Sequence, residues 1–461
     1  MKKLFAEETV LFMSLVKWFF LAAIIGIIVG ISTAIFLKSL EWGIGIGQQQ
    51  ARYFILLPVS LFLSTLIIKI FAPEAGGHGT EKILEAIHKR SGRINVAVVP
   101  IKLLTTVITI ASGGSAGKEG PAAQIGSALS SLLADVYRFN DRERRKLVVC
   151  GISAGFSAVF GTPIAGAIFG LEVLVAGMIV HEDLFPSFVA GVISFQVANI
   201  LGIHYYYNHI QISPIFNHYL FFIVVGAGIF FGLCSLYFIE IIHLVKKLAD
   251  KIRIWEPFKG LIGGLILIGL VYLFSSKMFL GLGTSTIEST LHGERIIWYA
   301  FLVKGLFTAI TLSFGGSGGV ITPIFFIGTA AGAFFAQLFG LDVPTFAAIG
   351  LVALLSGATN TPIASSIMAV ELFGPTIAPY AALACIISFL MTGHRSVYPS
   401  QVLGIRKSMS LSVDIGMDME KIKTTIQTRD RSFIGILLKI LHRFQKSRFN
   451  GNGDSSNEKK N

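Results

Sequence analysis

Glu119 stands in the run Gly117-Lys118-Glu119-Gly120-Pro121, an acid set in a glycine-rich passage that opens an apolar helical stretch. An ionisable side chain buried in apolar surroundings is costly and usually functional in a membrane segment. The first N–H groups of a helix lack partners within it, so they offer a positive field to an anion, and a carboxylate can occupy that same field. Protonation removes the carboxylate's advantage and releases it, so ion and proton exclude each other and their movements become coupled. Glutamate at a helix start is elsewhere a common cap. Residues 76–80 and 315–323 share the layout, glycine-rich and followed by a helical stretch read as apolar. Glycine admits close approach of backbone to an ion and equally lets helices cross. Three such passages together favour an anion held between helix N-termini.

The frame that positions these passages is duplicated. KLLTTVITIASGGSAGKEGPAAQIGSA from Lys102 matches KGLFTAITLSFGGSGGVITPIFFIGTA from Lys304, with Pro121 on Pro323 and Gly126 on Gly328. Glu119 then falls on Ile321, so the second copy has no acid there. GISAGFSAVFGTPIAGAIFGLE from Gly151 matches GLVALLSGATNTPIASSIMAVE from Gly350, placing Glu172 on Glu371, and upstream Gly77-His78-Gly79-Thr80 sets against Gly281-Leu282-Gly283-Thr284. Three matches in one order at nearly constant spacing mean a duplicated unit, not a short-period solenoid. Transporters built from repeats bind substrate near the midplane, with half-helix N-termini aimed at it.

The solvent of this unit follows from composition. With 461 residues, 53% of them hydrophobic and only 14% charged, and a mean hydropathy of +0.72, the chain has too little charge to cover a soluble protein of its size. A polytopic membrane protein is expected. Residues 11–37, 219–242 and 260–274 reach or approach the roughly 20 residues that span a bilayer. Shorter stretches such as 121–134 read as half-helices, whose irregular ends are tolerated only inside the protein. The net charge of +12 does not imply nucleic acid. Lys2 and Lys3 precede the first span, and Lys421, Lys423, Arg429, Arg431, Lys439, Arg443, Lys446 and Arg448 follow the last, which fits two cytoplasmic ends. A further basic run, Arg142, Arg144, Arg145 and Lys146, has no side assigned by sequence. No cleavable signal peptide is expected. Cys150, Cys234 and Cys385 stand singly in apolar surroundings, so packing is expected of them and no metal or disulfide.

Taken with these features, residues from roughly 10 to 405 resemble the CLC chloride channel and transporter family. Gly117-Lys118-Glu119-Gly120-Pro121 with Gln124-Ile125-Gly126 looks like that family's G-[K/R]-E-G-P element, and Gly319-Val320-Ile321-Thr322-Pro323 is similar to its G-x-F-x-P element. Pro73-Glu74-Ala75-Gly76-Gly77-His78-Gly79 resembles the lead into its G-S-G-I-P element, with His78 for the serine and Thr80-Glu81 for Ile-Pro. Tyr398 falls where the family keeps an anion-coordinating tyrosine. The resemblance implies an all-α membrane fold of two inverted repeats of broken helices, a homodimer with one pore per subunit, and a cell-membrane location. The expected division is residues 1–215 and 216–408 for the repeats and 409–461 for a basic, partly disordered tail without the nucleotide-binding modules of many eukaryotic members.

The implied site places Glu119 as gate and proton-coupling acid. His78, Gly79, Gly120, Val320, Ile321 and Tyr398 are expected to bind the anion, and Gly77, Gly117, Lys118 and Thr322 to line or select the path. Lys118 would draw anions to the mouth, and Thr322 would add a hydroxyl or cap its helix. No cofactor is implied. Val173 stands where the family's proton-coupled exchangers usually hold an inner acid after the counterpart of Glu172, which gives weight to a channel or loosely coupled mechanism. Glu172 and Glu371 are read as structural, and His181, Glu182 and Asp183 as a surface loop. Chloride is the default ion, exchanged for protons. Fluoride is the alternative, since His78 and Ile321 depart from the family together and a strongly hydrated ion needs strong donors such as an imidazole N–H. An intramembrane enzyme is a third class, opposed by the lack of any H-E-x-x-H or G-x-S-x-G arrangement.

Overall fold

The computed structural model describes residues 2–205 and 218–426. Among them the chain forms sixteen α-helices, and the two short β-pairs carry no sheet of consequence. The first half holds α1 (Lys2–Gln48), α2 (Leu57–Phe71), α3 (Gly79–Arg90), α4 (Val98–Ala111), α5 (Glu119–Val136), α6 (Asp141–Phe160), α7 (Pro163–Glu172) and α8 (Leu184–Ile200). The second holds α9 (His218–Lys251), α10 (Glu256–Phe274), α11 (Thr284–Leu291), α12 (Ala300–Ser313), α13 (Ile321–Phe339), α14 (Val343–Thr359), α15 (Pro362–Phe373) and α16 (Ala378–Met391). The two series correspond helix for helix. Six spans, in α1, α2, α8, α9, α10 and α13, are long and apolar enough to cross a membrane, and the rest are shorter.

The breaks between short helices are written in the residues. α6 ends on Gly161 and α14 on Asn360, both in the left-handed conformation that closes a helix. Pro163 and Pro362 then open α7 and α15, where the missing N–H would have had no partner anyway. Each repeat also packs its helices through the same glycines. A Cβ on Gly126 would lie 2.7 Å from the Gly151 carbonyl, and one on Gly328 2.4 Å from that of Gly350, so α5 meets α6 and α13 meets α14 at backbone distance.

The inversion of the repeats is visible in one reciprocal pair. Glu172, ending α7, accepts from the N–H groups of Ile363 at 3.1 Å and Ala364 at 2.8 Å, which open α15. Glu371, near the end of α15, accepts from those of Ile164 at 3.0 Å and Ala165 at 2.7 Å, which open α7. Each carboxylate caps the other repeat's helix, so α7 and α15 run antiparallel about a two-fold axis.

One face of the bundle gathers the polar ends. Lys17 of α1 pairs with Glu143 of α6, Arg93 with Asp141 at 3.2 Å, and Lys89 of α3 with Asp418 at 3.9 Å. The basic run at 142–146 therefore shares a face with α1 around Lys17 and with the segment after α16. That segment is folded as far as it is described: β1 (Val175–Ala176) pairs in parallel with β2 (Val402–Leu403), and β3 (Leu411–Ser412) antiparallel with β4 (Thr425–Ile426). Val413 and Met419 pack on Ala176 and Leu403. The expected repeat boundary at 215/216 and the basic residues from Arg429 on lie outside the described residues. His181–Asp183 form a 3-10 turn whose acids pair with Arg142 and Lys146. α3 corrects one expectation: it is a polar-faced helix of 12 residues, not an apolar stretch, because it runs out to this charged face, where Arg90 meets Glu74.

Candidate functional site

Three helix N-termini meet at backbone distance in the middle of the bundle. A Cβ on Gly79, opening α3, would lie 2.2 Å from the Gly120 carbonyl of α5, and one on Gly120 3.2 Å from the Gly319 Cα ahead of α13. Only glycine fits at 79, and at 120 a side chain would make the neighbouring backbone give way. Gly117 and Gly319 exchange N–H···O bonds of 2.7 Å in both directions, and His78 forms a backbone bridge with Gly318. The loops of the two repeats are thus locked together, aiming the N-termini of α3, α5 and α13 at one region. Gly117, with its N–H and C=O committed to Gly319, passes close by the acid: a Cβ there would lie 2.7 Å from Glu119 Oε2.

Glu119 is 2% exposed and turns back onto the other repeat. Its carboxylate accepts from Thr322 N–H at 3.0 Å and from the Thr322 hydroxyl at 2.6 and 2.8 Å. It therefore sits on the N-terminus of α13, where an anion would sit. Thr322 does not stand free beside the path; both its donors hold the acid. Val320 and Ile321, the residues that lead into α13, are buried, so what they can offer an ion is backbone. Lys118 is half-buried and with Glu119 lines a cavity of about 350 Å³ that also holds His204, Glu288 and His292.

Of the expected anion ligands, His78 precedes α3 and Tyr398 lies beside Thr80 of its first turn. Tyr398 is fully buried within the bundle. Its hydroxyl faces that of Thr80, and neither completes a hydrogen bond. His78 Nδ1 is likewise buried without a partner. Orphaned buried polar atoms are expensive, and a desolvated anion is what would satisfy these. Gly77, at φ +72, turns the chain into α3 and gives its carbonyl to a lysine rather than to an ion.

That lysine was not singled out from sequence as part of a site. Lys102 Nζ donates to the Ala75 and Gly77 carbonyls at 3.0 and 2.7 Å, and Lys304 Nζ to those of Phe279 and Gly281 at 3.1 and 2.9 Å. Both are fully buried, and neither has an ion pair among the described residues. The signal was present, since they head the two copies of the longest repeated passage.

The family model described as "Voltage gated chloride channel" matches residues 59–393, most of the chain. The chain belongs to the voltage-gated chloride channel family. It is 36% identical over 408 residues, 87% of this chain and 90% of the relative, to a "Chloride/fluoride channel protein" of Pseudomonas syringae pv. tomato. It is 27% identical to a Klebsiella pneumoniae "H(+)/Cl(-) exchange transporter", over 77% of this chain and 80% of that one. Among solved structures it is similar to a CLC-type fluoride/proton antiporter, with a TM-score of 0.80 and 27% identity, over 84% of this chain and 98% of that one. The all-α fold of two inverted repeats is the family's. Within that fold the second repeat's donor set, Thr322 above all, completes the environment of an acid supplied by the first.

Proposed function

We propose that the protein moves a halide across the cell membrane in exchange for protons, with Glu119 as the gate. The observation that carries this reading is the place of the Glu119 carboxylate, on the α13 N-terminus with both Thr322 donors. There it excludes an anion. Once protonated, Glu119 loses its attraction to that positive field and leaves, and Thr322 N–H and O–H become free for the ion. His78, Gly79, Gly120, Val320, Ile321 and Tyr398 supply the remaining ligands, and Lys118 the positive mouth. The protein acts as a homodimer in the bilayer with a path in each subunit, and its basic face and both termini lie in the cytoplasm.

Chloride is the default ion. Fluoride is a second reading, supported by the buried, unpartnered Nδ1 of His78 and by likeness to relatives named for fluoride. The test is efflux from liposomes holding purified protein, loaded in parallel with chloride or fluoride, with external pH recorded. Chloride efflux with opposed proton movement is expected, and fluoride efflux far above chloride would give the second reading. Anion efflux with no proton movement would leave a channel.

A further inference from the structure

We propose that Gln401 is a positioning residue for anion selection, holding the segment that carries Tyr398 across the seam between the repeats. This rests on the reading of Tyr398 as an anion ligand given above. The Tyr398 hydroxyl completes no hydrogen bond within the protein. No partner aims it, so its place is set by the packing of its ring and by the backbone on either side.

That backbone is tied at close intervals. Val397 N–H donates to the Ala358 carbonyl at 2.9 Å, Tyr398 N–H to the Ser396 hydroxyl at 3.1 Å, and Gln401 N–H to the Tyr398 carbonyl at 3.0 Å. Ser400 gives its N–H and hydroxyl to Glu81 of α3, at 3.0 and 2.5 Å. The fully buried side chain of Gln401 meets both repeats. Its Nε2 donates to the Val173 carbonyl, just past α7, and to the Thr359 carbonyl, at the end of α14, both at 2.9 Å.

The other end of the amide is held as firmly. Gln401 Oε1 accepts from Asn360 Nδ2 at 2.9 Å, and the same Nδ2 donates to the Arg395 carbonyl at 2.9 Å. Asn360 Oδ1 accepts from Lys407 Nζ at 2.6 Å, and that ammonium also donates to the Phe389 carbonyl of α16 at 2.6 Å. A buried polar network with both amides satisfied at each end permits one arrangement and resists others. Glu172, the neighbour of Val173, caps α15, so Gln401 stands where α7 already meets the break between α14 and α15. Without its amide, the Tyr398 segment keeps the ties of Val397 and Ser400 but loses its attachment to Val173 and Thr359. The hydroxyl is then no longer held in one place.

The competing role is a clamp that only stabilises the bundle. Gln401→Met keeps the side chain's length and removes its donors and acceptor, so fluoride and chloride efflux are compared in liposomes holding wild type, Gln401→Met, Tyr398→Phe or both changes. We expect Gln401→Met to lower the fluoride-to-chloride ratio by about threefold and Tyr398→Phe to lower it at least as far. The double variant is expected to match Tyr398→Phe, because with the hydroxyl gone nothing is left to position. A Gln401→Met protein that slows both ions at the wild-type ratio, or whose effect on the ratio persists beside Tyr398→Phe, overturns the proposal and leaves Tyr398 as a ligand. A wild-type ratio in Tyr398→Phe overturns the tyrosine's part in selection, and the positioning with it. Wild-type protein that releases neither ion overturns the transport reading itself. Should Gln401→Met yield no folded protein, Lys407→Met loosens Asn360 from the outer end of the network. The ratio is then expected to fall by about 1.5-fold, and only while the Tyr398 hydroxyl is present; a ratio unchanged from wild type overturns the proposal.

Discussion

The two repeats share a scaffold and divide the chemistry. Each has a buried lysine drawing its pre-helix loop inward, a glycine pair closing its main helix contact, and a carboxylate capping the other repeat's helix. Three titratable side chains of the first copy are unmatched in the second. His78 corresponds to Leu282, Glu81 to Ser285 and Glu119 to Ile321. Duplication gives opposed helices around one centre without requiring the same side chains on both. The acid comes from the first repeat and its donors from the second, so neither half holds a working site.

The widest gap between the halves is at Glu119 and Ile321, and the largest effect is expected there. Glu119→Gln mimics the protonated acid, so proton movement is expected to vanish while anion efflux continues, read as external pH against anion release from liposomes. Unaltered proton movement would remove Glu119 from the coupling and with it the asymmetry. The reciprocal caps probe the shared scaffold instead. Glu172 is 2% exposed and Glu371 more open, so in detergent melts we expect Glu172→Ala to cost about 2 kcal/mol and Glu371→Ala about 1 kcal/mol. The double variant is expected to fall short of the sum, since both losses act on one α7–α15 contact. Strict additivity would mean that the caps act separately.

A smaller effect is expected from the lysines, where scaffold and task overlap. Lys102 draws in Gly77, next to His78 and Gly79, whereas Lys304 draws in Gly281, next to Leu282. Any charge on Lys102 therefore acts closer to the ion path. Lys102→Met is expected to slow anion efflux by about fivefold and Lys304→Met by about twofold. Equal losses would show that both lysines serve only to fold their loops.

The repeats, the all-α class and the place of Glu119 at a helix start were legible because they rest on local residue types and on internal matching. Glycines at 79, 117, 120 and 319 marked the convergence for the same reason. What sequence did not disclose depends on which distant residues the inversion brings together. Thr322 read as a free hydroxyl or a simple cap, yet it holds an acid 203 positions away. Glu81 read as a departure from a motif, and its link to Ser400 crosses 319 positions. Lys102 and Lys304 headed both copies in plain view, but a lysine in an apolar stretch reveals its carbonyl partners only once the loops before α3 and α11 are folded against it. Glu172 and Glu371 were read as structural from their pairing alone, without the helix ends they cap.

Tyr398 tests the asymmetry most finely, because it belongs to neither copy of the matched passages. It is fully buried beside Thr80, and its hydroxyl completes no hydrogen bond within the protein. Tyr398→Phe keeps the ring and its packing and removes one donor. The backbone donors of α3, α5 and α13 remain, so overall efflux is expected to stay within about twofold. The ranking among halides is expected to move, because a single strong donor favours the most strongly hydrated ion, and fluoride relative to chloride falls when it goes. Tyr398→Ala, which also opens space, is expected to loosen selectivity further. An unchanged ranking in both variants would place selection at His78 and the helix N-termini, and so wholly within groups that the duplicated frame positions.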